Sequence, residues 1–482
     1  MKHIKYLVFA FIGAAIFSCD DDYLNPLPET AIAVDSYFQT DADVLSGIYG
    51  IYDALQGVND NTEGNERNAN RGVQFEHLLT EHRSDNTQTQ TLEGSKADFH
   101  RYVVDATNVE SEDYYQSMYE VVFRANNILN YIDIADESNQ ATYAAEAKFL
   151  RAYAYFNLVR LYGDIPLVTE VVGPTDNEAL FTRIASELVY AQIVQDLQEG
   201  VNVLSNGSKS RASRAGAQAL LAKVYLTQPT RNYSGAKQLC ESIITSGEFD
   251  LESNYRNVFY SELNDEIIFA IQYIAGNALE SQGFSAEFTS TFRQGTDDGQ
   301  NIVNANLIAD FGAFGGIRTR ESYYTFPTRT EVIKFLPEGS DLSVFPPTYG
   351  GNARNAGNDY IAIRYADVLL MHVEAAIGEN TNTNDVGALA SFQKIRDRAF
   401  PETAPNSVSS VSKTELLVER RVELAFENQR FYDLLRFGVA DAVLSAHAAE
   451  MGYIFSARSL LLPIPASEIN LSGGLLTQNP GY

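Results

Sequence analysis

Three glutamates recur at four-residue steps near the C-terminus, Glu419, Glu423 and Glu427. Paired carboxylates on one helical face are the raw material of general acid and base catalysis. Arg420, Arg421 and Arg430 stand within about a turn of them, and cations at that spacing neutralise carboxylates in ion pairs. The set therefore reads as stitching between helices, with Arg151, Arg160 and Asp164 doing similar work further up the chain. The six histidines include His77 and His82, whose five-residue step does not place both rings on one helical face, so no zinc helix is expected. Asp297-Asp298-Gly299 lacks the spaced ligands of a calcium loop and reads as a turn. Gly312, Gly315 and Gly316 do not make a dinucleotide fingerprint, and no phosphate-binding loop or nucleophile elbow occurs. Neither a catalytic set nor a cofactor or metal is expected. What remains is recognition chemistry, for which the chain has 28 Tyr, 27 Phe and no Trp. Aromatic faces stack on the apolar side of a sugar ring while Arg, Asp, Asn and Gln bond its hydroxyls.

The charge balance narrows the partner. Thirty-five Lys and Arg against 63 Asp and Glu, over 482 residues, give a formal charge of −28. Such a chain opposes nonspecific phosphate contacts, so nucleic acid is excluded as an expected partner. At the N-terminus Lys2 and Lys5 precede an apolar run from Leu7 to Phe17, and Ser18-Cys19 follows. A spanning helix needs about 20 apolar residues, so residues 1–18 read as a signal peptide. A cysteine after a small residue at that place looks like a bacterial lipoprotein cleavage site, with Cys19 carrying the lipid and residues 19–39 forming a tether that begins with three aspartates. Only Cys240 is then left, as a buried small hydrophobe, and the mature chain has no disulfide.

The elements that must position any site are mostly helical. Thr40 and Asp43 read as a capping box ahead of Val44, Ile48, Ile51 and Leu55. Tyr115 to Ile132 marks one face of a long helix, and Ala144 to Tyr162 carries apolar rows so broad that it must pack on more than one side. Gly163 and Pro166 stop it. Arg214 to Phe249 and Arg364 to Ala399 read as helical pairs of tetratricopeptide type. Asn59 to Arg71 and Arg83 to Ala97 read as loops, and Glu266 to Tyr273 as a strand. From about 275 to 358 no helical period is sustained, and an insertion of that length is read as ligand-facing.

Three segments carry a likeness to a known family: AEAKFLRAYAYFNLVRLYGDIPLVTE from Ala145, ERRVELAFENQRFYDLLR from Glu419, and LLPIPASEINLSGGLLTQNPGY from Leu461. In these the chain resembles the SusD/RagB family. The resemblance implies a mostly α fold, a tetratricopeptide-like helical repeat scaffold over residues 40–482 with an irregular loop-rich insertion. It also implies a role as a lipid-anchored, surface-exposed outer-membrane protein, not an enzyme. Such a protein captures oligosaccharide, or in some branches peptide, for a SusC-type TonB-dependent channel; a hydrolase is the reading from another class. By position it places ligand contacts at Arg83, Asp85, Asn86 and Gln88, and at Tyr323, Tyr324, Phe326 and Tyr349. Replacing Cys19 by Ala is expected to move the protein from the membrane fraction to the soluble one, read by fractionation and lipid labelling.

Overall fold

The computed structural model describes residues 37–57, 71–173, 175–277, 279–288, 301–327, 329–344, 347–348, 350–403 and 407–482. The signal segment, Cys19 and nearly all of the tether, most of the loop from Asn59, the turn at Asp297-Asp298-Gly299 and Tyr349 lie outside the described residues.

Helix α1 (Asp41–Gln56) starts where the capping box places it: Thr40 Oγ1 accepts from Asp43 N, and the Asp43 carboxylate accepts from Thr40 N at 2.8 Å. Its stripe of Val44, Ile48, Ile51 and Leu55 is buried against α2 (Val109–Asn130). Helix α3 (Glu137–Tyr162) lies between α2 and α4 (Ser186–Val203), which is why its residues 149–159 are buried all round. It stops at Gly163, whose φ of 74° disfavours any side chain. Arg151 on α3 meets Asp196 on α4 at 2.8 Å, both buried. Helices α5 (Arg214–Thr227) and α6 (Tyr233–Ser246) continue the stack, each packed on the helix before it. Gly200 lets α4 and α5 close up, since a Cβ there would sit 3.0 Å from that of Ala217. Cys240 is fully buried on α6.

After an irregular stretch holding α7 (Ala305–Phe314), the stack resumes with α8 (Tyr365–Ile377), packed on α6, and α9 (Val386–Ala399). Both expected helical pairs are therefore present. Helices α10 (Lys413–Glu423) and α11 (Arg430–Arg436) close the core. Six strands matter below: β1 (Thr87–Gln88), β2 (Ile267–Ile271), β3 (Ile302–Val303), β4 (Tyr323–Thr325), β5 (Thr330–Val332) and β6 (Tyr360–Arg364). Strands β2 and β6 pair antiparallel, and the others form one sheet in the order β1-β3-β5-β4. The insertion is thus more regular than expected. Helix α7 buries only Leu307 and Phe311, and strands of two or three residues are too short to show alternation, so neither leaves a readable period.

The C-terminal carboxylates are structural, with partners other than the expected ones. Arg318 reaches Glu419 at 2.7 Å and Glu423 at 2.8 Å. Arg364 reaches Glu266, Glu423 and Glu427 at 2.6, 2.7 and 2.6 Å. Arg398 meets Glu266 at 3.0 Å and Glu423 at 2.5 Å, and Lys334 meets Glu427 at 2.5 Å. The neighbouring arginines turn away from these glutamates, because successive residues of a helix are about 100° apart. Arg420 pairs with Asp367 and Asp433, both at 2.9 Å. Arg421 pairs with Asp310 and Asp85, and Arg430 with Asp85 at 2.7 Å. Glu427 is not on the helix of Glu419 and Glu423, since α10 ends first and Phe426 and Asn428 take positive φ. Burial pushes the Glu423 carboxyl up, but Arg398, Arg364 and Arg318 overcome this and hold it far below the usual carboxylate range.

Glu423→Gln leaves these guanidinium groups buried and short of a countercharge. It is expected to cost about 3–5 kcal/mol in urea unfolding. Asp53→Ala, at the exposed end of the Arg124–Asp53 pair, is expected to cost less than about 1 kcal/mol in the same measurement.

Candidate functional site

The four-stranded sheet joins the two regions expected to face ligand. Its register aligns Gln88 with Ile302, Ile302 with Glu331, and Glu331 with Tyr324. Residues directly opposed in antiparallel strands share a face, so these four side chains form one row, and their chain neighbours form the other. The second row faces inward: Thr87, Val303 and Val332 are buried, and the Tyr323 ring lies 5.2 Å from that of Phe311 on α7. The first row faces outward, with Gln88, Ile302 and Tyr324 half-buried. Glu331 is covered within it and pairs with Arg329 at 3.3 Å.

A hairpin carries the aromatic part of this face. Phe326 N donates to Arg329 O at 2.9 Å, turning β4 into β5. Tyr324 and Phe326, two residues apart and therefore on one side, bring their rings within 4.6 Å. Phe326 is the buried ring of the two and packs against Tyr324 at a tilt. Arg329 donates from Nη1 to the exposed Gln90 side chain, tying the hairpin to the loop after β1. The result is a face with a phenol ring on β4 and, across the sheet on β1 and the loop after it, two carboxamides, Gln88 and Gln90, which can bond either a hydroxyl or a carbonyl.

Three of the expected contacts belong elsewhere. Arg83 is buried with its guanidinium 4.2 Å above the Phe431 ring and donates to Ser459 O at 2.8 Å. Asp85 is held between Arg421 and Arg430; burial pushes its carboxyl up, and the two arginines bring it down to about 2. Asn86 donates to Glu81 at 2.9 Å and accepts from Arg421 at 2.9 Å. With their polar groups committed inside the protein, these three position β1. Tyr323 is likewise an inward-facing residue. Gln88 and Tyr324, with Phe326 as support, remain on the outer face. Sequence reasoning missed Gln90, Ile302 and Arg329; the only signal for them was alternation in strands too short to reveal it.

The two histidines are closer than their spacing suggested. The local helix spans only Glu76–Leu79, so a helical-face argument does not govern them, and the rings meet edge-on at 5.6 Å. Burial pushes His77 down to about 3 and His82 well below its ordinary value, so both are neutral. Among the described residues no group of three or more His, Cys, Asp or Glu could hold a metal ion.

Comparison with known proteins follows this geometry. Residues 313–482 match the sequence model of the SusD family, and residues 38–226 match one described as starch-binding, associating with the outer membrane. A SusD-like protein P2 of Formosa agariphila is 26% identical across the whole of both chains. Among solved structures, a laminarin-binding SusD-like protein aligns over 92% of this chain and 100% of its own, at 24% identity and a TM-score of 0.74. Surface glycan-binding protein A from Bacteroides thetaiotaomicron, in complex with laminarihexaose, aligns over 91% of this chain and 99% of its own, at 21% identity and a TM-score of 0.72. At those identities the structural likeness speaks to the fold, a tetratricopeptide-like helical scaffold. Both solved relatives are described as binding proteins, one of laminarin and one of surface glycan.

The loop that places β1 carries one further titratable group. Glu81 is fully buried and accepts from Asn86 and from Asn428 N; burial pushes its carboxyl up to about 7, against those two donors. The folded chain therefore keeps a proton there that the unfolded chain releases near pH 4.5. The associated stability is complete below that pH and is lost as pH rises through about 7, by up to about 3 kcal/mol. Glu81→Gln is expected to flatten the fall of the unfolding midpoint between about pH 5 and 8.

Proposed function

From the membership of this chain in the SusD family, we propose that it captures oligosaccharide at the cell surface on the outer face of the β1-β3-β5-β4 sheet. The observation that supports this most directly is the half-buried Tyr324 ring on one edge strand of the sheet whose opposite edge strand carries Gln88, a width of about three strand spacings that an oligosaccharide can span. One sugar ring stacks its apolar side on the phenol, and the carboxamides take the hydroxyls of another. The named ligands of relatives, laminarin, laminarihexaose and a xylogluco-oligosaccharide, supply the class of cargo. Lipid on Cys19 holds the protein at the outer membrane, with the aspartate-rich tether giving reach, and cargo passes to a SusC-type TonB-dependent channel. The division into a signal segment of 1–18, a tether of 19–39 and one binding domain of 40–482 belongs to the same proposal.

Titration calorimetry with laminarihexaose, xylogluco-oligosaccharides and a peptide panel tests it. Tyr324→Ala is expected to weaken oligosaccharide binding by about 1–3 kcal/mol, as aromatic stacking contacts do, with the thermal midpoint nearly unchanged. Tyr323→Ala is expected to do the reverse, lowering stability and sparing affinity. Binding confined to peptides would replace the oligosaccharide reading, and unchanged affinity in Tyr324→Ala would remove the sheet face as the site.

A further inference from the structure

At the far end of α3, where the chain turns at Gly163, lies an open cleft of about 580 Å³, within the usual size range of small-molecule sites. Segments from six parts of the chain form it: the end of α3 with its turn, Arg183 with the start of α4, the turn between α5 and α6, α11, Leu461, and the C-terminal residues 478–480. Arg160, Arg183 and Arg231 line it together with Tyr190 and Tyr432.

These arginines are unlike those of the buried core. Arg160 lies 3.6 Å above the Tyr432 ring and donates to Phe156 O and to the Asn157 side chain. Arg183 donates to Asp164 O, Thr477 O and the Asn479 side chain. Arg231 donates to the Tyr233 hydroxyl and to Arg436 O. Every acceptor is neutral. A guanidinium has five N–H groups, so each of the three keeps at least two that these bonds do not use. Arg436, also in the lining, is already neutralised by Glu374 and Asp433. The acidic residue among the described lining is Asp164, and its side chain accepts from Ser186 N at 2.9 Å. The chain has 63 acidic residues for 35 Lys and Arg, so a cleft whose three arginines form no ion pair with a described residue, Asp164 and Glu76 acting on Arg183 and Arg160 only from a greater distance, runs against its composition.

We propose that this cleft is a second binding site, for a small ligand bearing a carboxylate or sulfate group. Planar or trigonal oxyanions match the forked N–H groups of arginine. Arg160 is held in place by Tyr432, and Arg183 by three bonds, so little order has to be created on binding. The rings of Tyr190 and Tyr432 provide apolar wall for the body of the ligand. The negative field of the whole protein repels anions generally and restricts their binding to a place where cations converge.

The test titrates the full chain with glucuronate and with sulfate, using glucose as the neutral control, at constant ionic strength. Saturable binding of glucuronate or sulfate but not of glucose is expected, with hydrogen-exchange protection gained at residues 227–233 and 477–482. Arg231→Gln is expected to weaken it at least about tenfold, the size of one lost charge-assisted hydrogen bond, and Arg231→Lys to weaken it less. Tyr324→Ala is expected to leave it unchanged, which separates this site from the sheet face. Absence of saturation with either anion overturns the proposal, as does protection confined to other segments. A folded Arg231→Gln that binds like the wild type overturns it too.

Discussion

The buried ion pairs strung along residues 419–436 are the constraint to which the rest of this protein answers. An unpaired charge in a protein interior costs several kcal/mol, whereas a matched pair is close to neutral in its net contribution. The network therefore acts mainly through geometry, since each segment can dock only where its charge is met. Glu266, Glu419, Glu423 and Glu427 face Arg318, Arg364, Arg398 and Lys334, four carboxylates against four buried cations. Asp367, Glu374 and Asp433 face Lys223, Arg420 and Arg436 in a second set. A helix as short as α10 serves several partners because Glu423, Arg420 and Arg421 leave it in different directions.

The outer face of the four-stranded sheet inherits its shape from this network. Asp85 and Asn86 are held by Arg421 and Arg430, which fixes the loop that becomes β1. Asn304 N donates to Asn86 O at 2.9 Å, linking β3 and α7 to that loop, and Asp310 on α7 returns to Arg421. Lys334, just past β5, is fastened to Glu427 and to Ala425 O. Strands from distant parts of the chain thus reach one sheet through charges on one C-terminal segment. A face braced in this way is preorganised, and little conformational entropy remains to be lost on binding.

The segments that reveal the family meet one another in space and do so as architecture. Asn479, in the terminal Gln-Asn-Pro-Gly-Tyr, donates to Tyr162 O and Leu462 O. Tyr432 lies under Arg160, and Arg231 reaches Arg436 O. Motifs occupied in holding the scaffold together identify the scaffold. They are silent about cargo.

The sequence by itself determined the helices that became α1, α2 and α3, their first capping box and the paired helical repeats, because a buried stripe every 3.6 residues and a Thr-x-x-Asp start are local properties of the chain. It also determined that the clustered glutamates near the C-terminus are neutralised, since arginines stand close by. Which arginine meets which glutamate was decided only in three dimensions, where Arg318, Arg364 and Arg398 arrive from other elements and Arg420 and Arg421 point elsewhere. The polar run Arg83 to Gln88 reads as uniform loop, yet the fold buries Arg83 on the Phe431 ring and Asp85 in ion pairs and leaves Gln88 half-buried on the outer face. Tyr323 and Tyr324 are chemically identical neighbours, and only pairing with β5 sends one ring inward and the other out. In a strand of three residues the alternation of faces carries no local mark, so register, a property of two strands together, makes that choice.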